Sequence, residues 1–354
     1  MIDWQPSIII VIYNGLAYLP GCLASVLREC QAYPGSEVVV VDNASSDGSP
    51  DWIAEHYPQV RLLRNTHNLG FAASCNQGAA AASGNALVFL NQDTRVLPGW
   101  LKGLLDGLFQ HDGAGLVTSK LLFMTQPDKI NLCGQDIHYT GLVFGRGTLC
   151  AADDFNSLQE VGAVSGASFA IRRALWDQLG GFDPAFFMYY EETDLSWRAC
   201  LRGYSSWYIP GSVSYHDAAL KPSPGAAYYS ARNRIVLLIK HWKWPTLLFL
   251  LPAVLLTELI EWAYMLRLGS GYVVGKLRAC AWLLGHPRQI LQARQSVQAG
   301  RQVSDALLLT KCVFGISPKA LSFGAIGQDL IRFTNLLFSI NYQIVLKLTQ
   351  WFKI

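Results

Sequence analysis

The apolar stretch "ALVFLN" at residues 86–91 is followed directly by Gln92 and Asp93, so that three polar side chains, beginning with Asn91, end the run. Two interpretations fit this pattern. A strand can simply run into a turn here, because Asn and Asp favour turns through hydrogen bonds to nearby backbone. Alternatively, a buried strand presents oxygen ligands at the edge of a sheet, and oxygen atoms are the ligands that hard divalent cations prefer.

A second polar cluster places three carboxylates within four positions, at Glu191, Glu192 and Asp194 of "MYYEETDLSWRACLRGY". Mutual repulsion raises the pKa of at least one of them, while the N-terminus of a helix beginning here opposes that rise. A carboxylate placed in this way can serve as a general base. Helix-start electrostatics and an i,i+4 ion pair with Arg198 explain Asp194, but they do not explain all three acids.

Four apolar runs predict the strands that position these residues. They are "SIIIVIY" (7–13), "EVVVVD" (37–42), "VRLLRN" (60–65) and "ALVFLN" (86–91). They lack the in–out alternation of a half-exposed sheet, which is typical of parallel strands covered on both faces. The intervals between them, 17 to 23 residues, leave room for crossover helices. We therefore expect an α/β fold.

Polar side chains follow these predicted strands at Tyr13-Asn14, Asp42-Asn43, Arg64-Asn65 and Asn91–Asp93. Ligands in open α/β sheets bind beyond the carboxyl ends of the strands, so these positions predict a binding site. The first strand is not followed by a GxGxxG fingerprint, which disfavours a dinucleotide cofactor.

Boundary signals predict the first helices. In "SSDGSPDWI", Ser49 suits the N-cap and Pro50 the first helical position. The small residues of "GFAASCNQGAAAASG" predict a helix close to the sheet that ends at Gly84. A further helix should cover Thr193 to Arg202, after a region of strands and loops with a hairpin around 130–148.

The distribution of charge and a helix-hostile break at 221–225 divide the chain. Residues 1–220 hold 12 Lys+Arg against 21 Asp+Glu, and residues 221–354 hold 16 against 4. This division predicts an acidic catalytic part joined to a basic, helical part that meets nucleic acid or a membrane surface. The eight cysteines lack zinc-site spacings and predict reduced thiols in a cytosolic protein. The first four residues lack a basic n-region, so no signal peptide is expected.

The chain resembles a family 2 inverting glycosyltransferase with the nucleotide-sugar-binding GT-A fold, and it is similar to the rhamnosyltransferase branch of cell-surface polysaccharide synthesis. The matching motifs are "SIIIVIYNG", "VVVVDNASSDGS", "NLGFAASCNQGAAAASGNALVFLNQD", "GASFAIRRALWDQLGGFDPAFFMYYEETDLSWR" and "YH" at 215–216. The resemblance implies a GT-A catalytic domain at 1–225, with a mixed, mainly parallel sheet flanked by helices. A helical, basic, membrane-associated region would occupy 226–354.

The resemblance also implies roles for individual residues. Asp42 would accept the N3–H of a uracil or thymine base, although an Asx turn is the structural alternative. Asp93 would hold Mg²⁺ or Mn²⁺ with His216, although a lone His is more often structural. The other donor-binding positions implied are Tyr13, Asn14, Asn68, Asn91 and Gly166.

Two positions depart from the family pattern. Asn91 stands where the first acid of an Asp-x-Asp motif often stands, so metal affinity would depend more on Asp93 and the donor diphosphate. Glu192 stands at the position of the usual catalytic base, where the family commonly has Asp, and it is one methylene longer. Glu191 and Asp194 therefore remain alternative bases.

Four arginines have two interpretations each. Arg172 and Arg173 could face phosphate or be exposed helix charges. Arg232 and Arg234 could support the diphosphate or acceptor, or form a basic surface stripe.

The segment at 245–268 is long enough to span a bilayer, since about 20 apolar residues suffice. Pro252, Glu258 and Glu261 disfavour a span, because an acid near mid-bilayer costs roughly 2.5–3.5 kcal/mol on insertion scales. The surrounding basic residues favour an anionic leaflet, so we expect a peripheral or monotopic protein on the cytoplasmic face of the membrane. Long aliphatic runs among these residues disfavour nucleic acid.

Together these features predict inverting, metal-dependent transfer of a hexosyl or deoxyhexosyl group to a lipid-linked saccharide. The donor would be a UDP- or dTDP-sugar, with dTDP-rhamnose as one candidate. The rival is a non-catalytic, membrane-bound nucleotide-sugar-binding or scaffold protein, for which Asn91 is the best argument. The sugar, the acceptor and the oligomeric state stay open.

Overall fold

A computed structural model describes residues 4–110, 113–218, 223–316, 325–352 and 354. The chain forms two compact units. Unit 1 contains the described residues of Met1–Gln135, Gly145–Ala199 and Tyr204–Leu220. Unit 2 contains those of Asp136–Phe144, Cys200–Gly203 and Lys221–Ile354.

Strands are concentrated in the first two thirds of the chain. They are β1 (Pro6–Ile12), β2 (Glu37–Asp42), β3 (Arg61–Arg64), β4 (Ala86–Asn91), β5 (Thr94–Val96), β6 (Ala114–Phe123), β7 (Ile130–Leu132), β8 (Gln135–Ile137), β9 (Val143–Gly145), β10 (Gln159–Val161), β11 (Ser168–Arg172) and β12 (Ser205–His216). β8 and β9 pair as a separate two-stranded sheet, which confirms the hairpin predicted around 130–148.

Helices alternate with these strands and then dominate the remainder. They are α1 (Leu19–Cys30), α2 (Ser49–His56), α3 (Phe71–Ala81), α4 (Trp100–Gln110), α5 (Arg173–Leu179), α6 (Glu191–Cys200), α7 (Pro224–His241), α8 (Trp244–Leu268), α9 (Ser270–Gly285), α10 (Pro287–Ala299), α11 (Asp305–Thr310) and α12 (Ala325–Trp351). A 3-10 turn, Pro184–Phe186, precedes α6.

The large sheet has the strand order β10-β12-β6-β11-β4-β1-β2-β3, with β5 beside β12 and β7 beside β6. Parallel pairs join β4, β1, β2 and β3, as the four apolar runs predicted. β11 is antiparallel to both of its neighbours, and β6 is parallel to β12. The sheet is therefore mixed, and the residues just before β11 lie at the same edge as the carboxyl end of β4.

Helices cover both faces of this sheet. Ile8, Ile10 and Ile12 of β1 belong to a core shared with α1, α2 and α4. Ile9 and Val11 belong to the opposite core, shared with α3, α5 and α6. This double cover explains why the strands lack an alternating polar face.

Two predicted helix boundaries are wrong. α2 begins at Ser49, and the cap position is Gly48, because the Asp47 side chain already accepts the Ser49 N–H at 3.0 Å. α3 ends at Ala81 rather than at Gly84. Gly84 serves a close approach instead, since a Cβ there would lie 2.1 Å from the carbonyl oxygen of Gln5.

Two other predicted boundaries are the start of α6 and the break at 221–225. α6 begins at Glu191, two residues before the predicted start at Thr193, so all three acids lie in its first turn. The predicted break at 221–225 lies partly outside the described residues. Within it, Ser223 caps α7 by accepting the Ala226 N–H at 3.1 Å.

Unit 2 contains a group of ion pairs, here called the α8 ion cluster, in which the buried cations Arg234 and Lys276 meet the half-buried Glu258 and Glu261. The Arg234 guanidinium lies 3.1 Å from Glu261, and the Lys276 ammonium lies 2.9 Å from Glu258. Burial alone would raise the pKa of Glu261, but the two cations hold it below its usual value. The glutamates of α8 thus pair with α7 and α9.

Burial also distinguishes between the two interpretations given for Arg232 and Arg234. Arg232 and Arg234 are both buried, so the interpretation as a basic surface stripe is wrong. Arg234 belongs to the α8 ion cluster, and Arg232 lies 4.7 Å from the ring centre of Trp282 and 5.1 Å from that of Tyr229.

Helix α8 is 25 residues long, and its most apolar 18-residue window has a mean hydropathy of 1.7. Among the described helices it is the one that could cross a membrane by length and composition. Only 22% of that window is buried within the protein.

Candidate active site

The carboxyl ends of the parallel strands meet at one edge of the sheet, as predicted. Ile12 pairs with Asp42, and Val11 pairs with Asn91. Asp42 in turn pairs with Arg64. The register therefore brings Tyr13, Asp42 and the residues after Asn91 to one edge, which we call the carboxyl edge.

Asp93 and His216 meet at this edge because β12 returns beside β5. His216 pairs with Thr94, the residue after Asp93, and the Asp217 N–H donates to the carbonyl oxygen of Asp93 at 3.0 Å. As a result Nε2 of His216 lies 3.4 Å from Oδ1 of Asp93. Both side chains are partly exposed, with 12% and 26% of their areas accessible.

The hydrogen bond on the other ring nitrogen shows that this pair fits a cation. Nδ1 of His216 lies 2.9 Å from Oδ1 of Asn131. With that oxygen as acceptor, Nδ1 carries the proton, and Nε2 presents its lone pair towards the Asp93 carboxylate. Two electron-rich atoms at this distance are stabilised by a proton or a metal ion between them. Within the described residues no group of three or more His, Cys, Asp or Glu side chains is arranged to hold a metal ion.

Asp42 is buried at the carboxyl edge, and one oxygen of its carboxylate is already used. Oδ1 accepts the Ser45 N–H at 3.0 Å, which is the Asx turn considered as the alternative to base binding. The turn holds Asp42 in place at the strand end, so a turn and a binding role are compatible at this residue.

Asn43 braces the loop that carries Asn68. Its Nδ2 donates to Oδ1 of Asn68 at 2.8 Å, and its Oδ1 accepts the Leu69 N–H at 2.9 Å. Asn68 also accepts the Gly70 N–H at 2.9 Å. These bonds hold the side-chain oxygen of Asn68 against the backbone just before the start of α3.

Gln92 ties the end of β4 to the end of β1. Its side chain amide accepts the Tyr13 N–H at 2.9 Å and donates to the Tyr13 carbonyl at 3.1 Å. Gly15 leaves room for this amide, since a Cβ there would lie 2.2 Å from Oε1 of Gln92. Asn14 adopts a φ of 49° and accepts the Ser46 N–H at 2.8 Å, while the Tyr13 ring is 48% exposed.

Gly166 joins this edge to the acidic cluster. The Asn91 N–H donates to the carbonyl oxygen of Ala167 at 3.0 Å, which fixes the residues before β11 beside the end of β4. A Cβ at Gly166 would lie 3.5 Å from Cδ of Glu192, so a side chain added at this position would pack against the Glu192 carboxyl group. Asn91, Gly166 and Glu192 are thus brought together by one strand pair.

Glu191 and Glu192 are buried in the first turn of α6. Burial, together with the neighbouring charge of Glu192, raises the pKa of Glu191 well above its usual value. Burial also raises the pKa of Glu192, and a hydrogen bond from Gln135 opposes that rise. Such a pair can hold a proton at a higher pH than ordinary glutamates do, and a buried carboxyl group of this kind can serve in proton transfer.

Asp194 is used differently. Its Oδ2 forms the predicted i,i+4 ion pair with Nε of Arg198 at 2.7 Å. Arg198 also donates to the carbonyl oxygens of Leu179 and Gly181 at 2.7 Å each. Asp194 therefore holds α6 against the chain after α5, and the structure supports a structural role for this acid.

The model of the family described as "Glycosyl transferase family 2" matches residues 7–180. These residues belong to glycosyl transferase family 2. The matched range contains Asp42, Asp93 and Gly166, while the acids of α6 and His216 lie beyond it.

Known glycosyltransferases agree with this assignment. The chain is 28% identical over 270 residues to the N-acetylglucosaminyl-diphospho-decaprenol L-rhamnosyltransferase of Mycobacterium tuberculosis, covering 69% of this chain and 87% of the relative. It is similar in fold to GalNAc-T7 with UDP, GalNAc and Mn²⁺ (TM-score 0.56, 18% identity, 68% of this chain and 48% of that chain). It also resembles the mannosyltransferase PcManGT of Pyrobaculum calidifontis in complex with GDP-Man and Mn²⁺ (TM-score 0.51, 18% identity, 100% and 88%). The chain is a glycosyltransferase with a GT-A-like mixed α/β sheet.

The loop before the acids of this glycosyltransferase holds an unusual backbone. Phe187, Tyr189 and Tyr190 have φ values of 64°, 64° and 74°, a left-handed region that bulky residues rarely adopt. Strain of this kind persists where the surrounding structure imposes it, and it is frequent at functional sites.

Arg172 and Arg173 of the glycosyltransferase are not phosphate ligands at this edge. β11 is antiparallel to β4, so its end at Arg172 pairs with Ala86, the first residue of β4. Arg173 donates to the carbonyl oxygen of Ala79 in the last turn of α3 and to those of Ala82 and Gly84 just after it. Arg173 is therefore a half-buried side chain bonded to backbone carbonyl groups, at the edge opposite the predicted site.

Sequence reasoning missed Gln135. Its Nε2 donates to Oε1 of Glu192 at 2.7 Å, although the two residues are 57 positions apart. The short run "CGQDI" contains no motif that marks this residue, so only the folded chain reveals the contact.

Proposed function

We propose that this glycosyltransferase transfers a hexosyl or deoxyhexosyl group, with inversion and with a divalent cation, from a UDP- or dTDP-sugar to a lipid-linked saccharide. dTDP-rhamnose is our first candidate donor, since the mycobacterial relative is named as an L-rhamnosyltransferase. The observation that supports the proposal is a chain of contacts: the Asp93–His216 pair follows Asn91, the Asn91 N–H is bonded to Ala167, and the neighbouring Gly166 lies close to Glu192.

The donor would lie along the carboxyl edge. Asp42 would accept the base N3–H with the carboxylate oxygen that the Ser45 turn does not use. The Tyr13, Asn14, Asn68 and Asn91 positions border the same edge and would contact the rest of the nucleotide. The bidentate bond of Gln92 to Tyr13 fixes part of this surface before the donor binds.

Asp93 and His216 would hold the cation, Mn²⁺ or Mg²⁺. The two solved neighbours are described with Mn²⁺ together with nucleotides or nucleotide sugars. When bound, such a cation neutralises charge on the two phosphates that leave with the nucleoside. Asn91, at the first position of the Asp-x-Asp-like motif, carries no charge. Asp93 would therefore supply the negative charge of this motif to the cation.

Glu192 would act as the general base. Its carboxylate would take the proton from the acceptor hydroxyl as that oxygen forms a bond to the anomeric carbon. The bond between the anomeric carbon and the diphosphate oxygen breaks on the opposite face, and its electron pair leaves with the nucleoside diphosphate. Glu191 remains the alternative base, while Asp194 is disfavoured by its ion pair with Arg198.

Two helices of unit 2 support a membrane-anchored acceptor. Leu248, Leu251, Leu255 and Leu259 follow each other at helical spacing on α8, and each is 46 to 69% exposed. We call them the α8 leucine face. Helix α12 packs against α8, where Asn341 donates to the Phe249 carbonyl at 3.1 Å, and it exposes Phe333, Leu336, Ile340 and Ile344.

Exposed apolar faces of this extent, in a part of the chain with 16 Lys+Arg against 4 Asp+Glu, suit an anionic membrane surface. We therefore propose peripheral or monotopic association with the cytoplasmic face through residues 226–354, and catalysis by residues 1–225. The α8 ion cluster favours a helix at the interface over a span, because a span would carry two glutamates into the bilayer.

A donor panel tests the proposed activity. The full chain would be incubated with UDP-, dTDP- and GDP-sugars and with Mn²⁺ or Mg²⁺, and released nucleoside diphosphate would be measured with and without a lipid diphosphate saccharide. We expect metal-dependent release from a UDP- or dTDP-sugar that the lipid acceptor accelerates. Donor binding without release from any donor would favour the non-catalytic scaffold instead.

A further inference from the structure

Gln135 is the buried residue that contacts the proposed base from outside α6. Its Nε2 donates to Oε1 of Glu192 at 2.7 Å, and its side chain is almost fully buried. The Gln135 backbone is fixed as well, because its N–H and carbonyl exchange hydrogen bonds with Ala163 at 2.9 and 3.2 Å.

Thr193 determines which end of this amide faces Glu192. Its hydroxyl donates to Oε1 of Gln135 at 3.0 Å. An amide whose oxygen already accepts this bond presents its NH₂ group to the glutamate. The contact with Glu192 is therefore a donor facing a carboxyl oxygen, which favours the ionised form of that carboxyl group.

Glu191 has a different environment. Its Oε2, like Oε2 of Glu192, is buried and has no hydrogen-bond partner among the described residues, so the difference lies in the side-chain donor that faces the other oxygen of Glu192. The titratable groups that act on it electrostatically are Cys75 of α3, Tyr189, Glu192 and Asp194. None of these four is a cation, and Asp194 is held by Arg198. A buried carboxyl group in such surroundings favours its neutral form.

We propose that Gln135 is a positioning residue that makes Glu192 the anionic member of the glutamate pair, while Glu191 keeps a proton. This inference rests on the proposed role of the pair in glycosyl transfer, and it decides between the two candidate bases. Glu192 is faced by Glu191 on its own helix, by the Gln135 amide from β8 and by the Gly166 backbone before β11. Glu192 also accepts backbone hydrogen bonds of its own residue and of Thr193, and the bond from Gln135 is the side-chain interaction that sets it apart from Glu191.

Carbon-13 NMR of the full chain tests the charge assignment without any assay of activity. The chain has eight glutamates, so selective labelling of their carboxyl carbons gives few resonances, and Glu191→Gln and Glu192→Gln identify the two of interest. We expect Glu192 to lose its proton at lower pH than Glu191. In Gln135→Met, which keeps the volume but removes the donor, Glu192 should lose its proton at higher pH than in the natural chain.

The pH dependence of transfer provides a second readout. In Gln135→Met the acid limb of kcat/KM should move to higher pH, with a loss of roughly ten- to a hundredfold at pH values on that limb and recovery above it. Thr193→Val should shift the limb in the same direction, and Thr193→Ser should restore it. Gln126→Met, the same change at an exposed position, is the matched control.

Each outcome separates the two hypotheses. If Glu192 loses its proton before Glu191 in the natural chain but no sugar is transferred, the proposed function is wrong and the charge assignment stands. An active chain in which Glu191 ionises first, or in which Gln135→Met lowers the rate equally at every pH, would overturn the role of Gln135. A Gln135→Met chain that does not fold leaves the two Thr193 variants to decide by the same measurements.

Discussion

The imidazole Nε2 of His216 lies 3.4 Å from Oδ1 of Asp93, and the Asn131 side chain contacts the other ring nitrogen at 2.9 Å. Two distant segments thereby bring one carboxylate oxygen and one imidazole nitrogen to the same point of the carboxyl edge. The pairing of β12 with β5 fixes their separation, so the pair exists without a bound substrate.

Removal of either ligand should weaken the response to metal. We expect Asp93→Asn to lose at least a hundredfold in transfer, and His216→Ala to need roughly ten- to a hundredfold more Mn²⁺ for half-maximal rate. Metal titrations of initial rate measure both effects. Asp128→Asn, an exposed carboxylate in unit 1, is the control. An unchanged titration for Asp93→Asn would remove Asp93 from the metal site.

The two glutamates should differ in importance. Glu192→Gln removes the proposed base while keeping the shape of the side chain, so transfer should fall by about 10²–10⁴-fold with donor affinity retained. Glu191→Gln should keep substantial activity, because a neutral Gln replaces a carboxyl group proposed to be neutral. Rates with parallel donor-binding titrations provide the comparison. The reverse ranking would identify Glu191 as the base.

Stability should depend on pH through Glu191. Burial raises its pKa in the folded chain, so the folded form holds a proton that the unfolded form releases above about pH 4.5. Stability is therefore lost as the pH rises through the folded-state pKa. Glu191→Gln should raise Tm by a few degrees near pH 8 and leave it almost unchanged at pH 4. Thermal unfolding at both pH values checks the sign, and equal Tm changes would contradict the assignment.

The α8 ion cluster should be sensitive to the loss of one charge. Glu261→Gln leaves Arg234 and Lys276 with one carboxylate between them, and removing one member of a buried ion pair costs about 3–5 kcal/mol. Urea unfolding of the full chain measures the loss. Glu55→Gln, at a side chain that is 78% exposed, should change stability by less than about 0.5 kcal/mol. Similar values for the two variants would mean that the cluster contributes little.

Membrane binding should depend on the α8 leucine face. Leu259→Ser removes an apolar side chain worth roughly 1.5–3 kcal/mol on burial, so affinity for anionic vesicles should fall about tenfold or more. Leu149→Ser changes a leucine of similar exposure in unit 1 and should have no effect. Sedimentation with vesicles of phosphatidylglycerol measures both. Equal binding by the two variants would exclude this face as the contact.

Local sequence information was sufficient for the parallel part of the sheet. The runs at 7–13, 37–42, 60–65 and 86–91 became β1 to β4 because their apolar residues fill cores on both faces. Their polar ends then had to share one edge, which placed Asp42 and Asn91 together. For residues that directly follow buried parallel strands, the apolar pattern and the strand register are sufficient to predict their position.

Contacts between distant segments could not be predicted in the same way. Arg173 was a candidate phosphate ligand until the antiparallel direction of β11 put it at the opposite edge. Gln135 and Glu192 are brought together by packing rather than by spacing. Arg234 was a candidate for support of the diphosphate or acceptor, or for a surface charge, and its actual partners, Glu258 and Glu261, follow 24 and 27 residues later.

Because β11 is antiparallel to β4, residues that stabilise the sheet and residues proposed to act in transfer lie at opposite edges of it. Arg173 ties the ends of α3 and β11 together at the amino edge, whereas the glutamate pair and the strained tyrosines stand at the other edge. Directed evolution of a sturdier enzyme should therefore target the amino edge, where changes can add robustness without altering turnover. Diversity intended to alter substrate choice belongs around Gly166 instead.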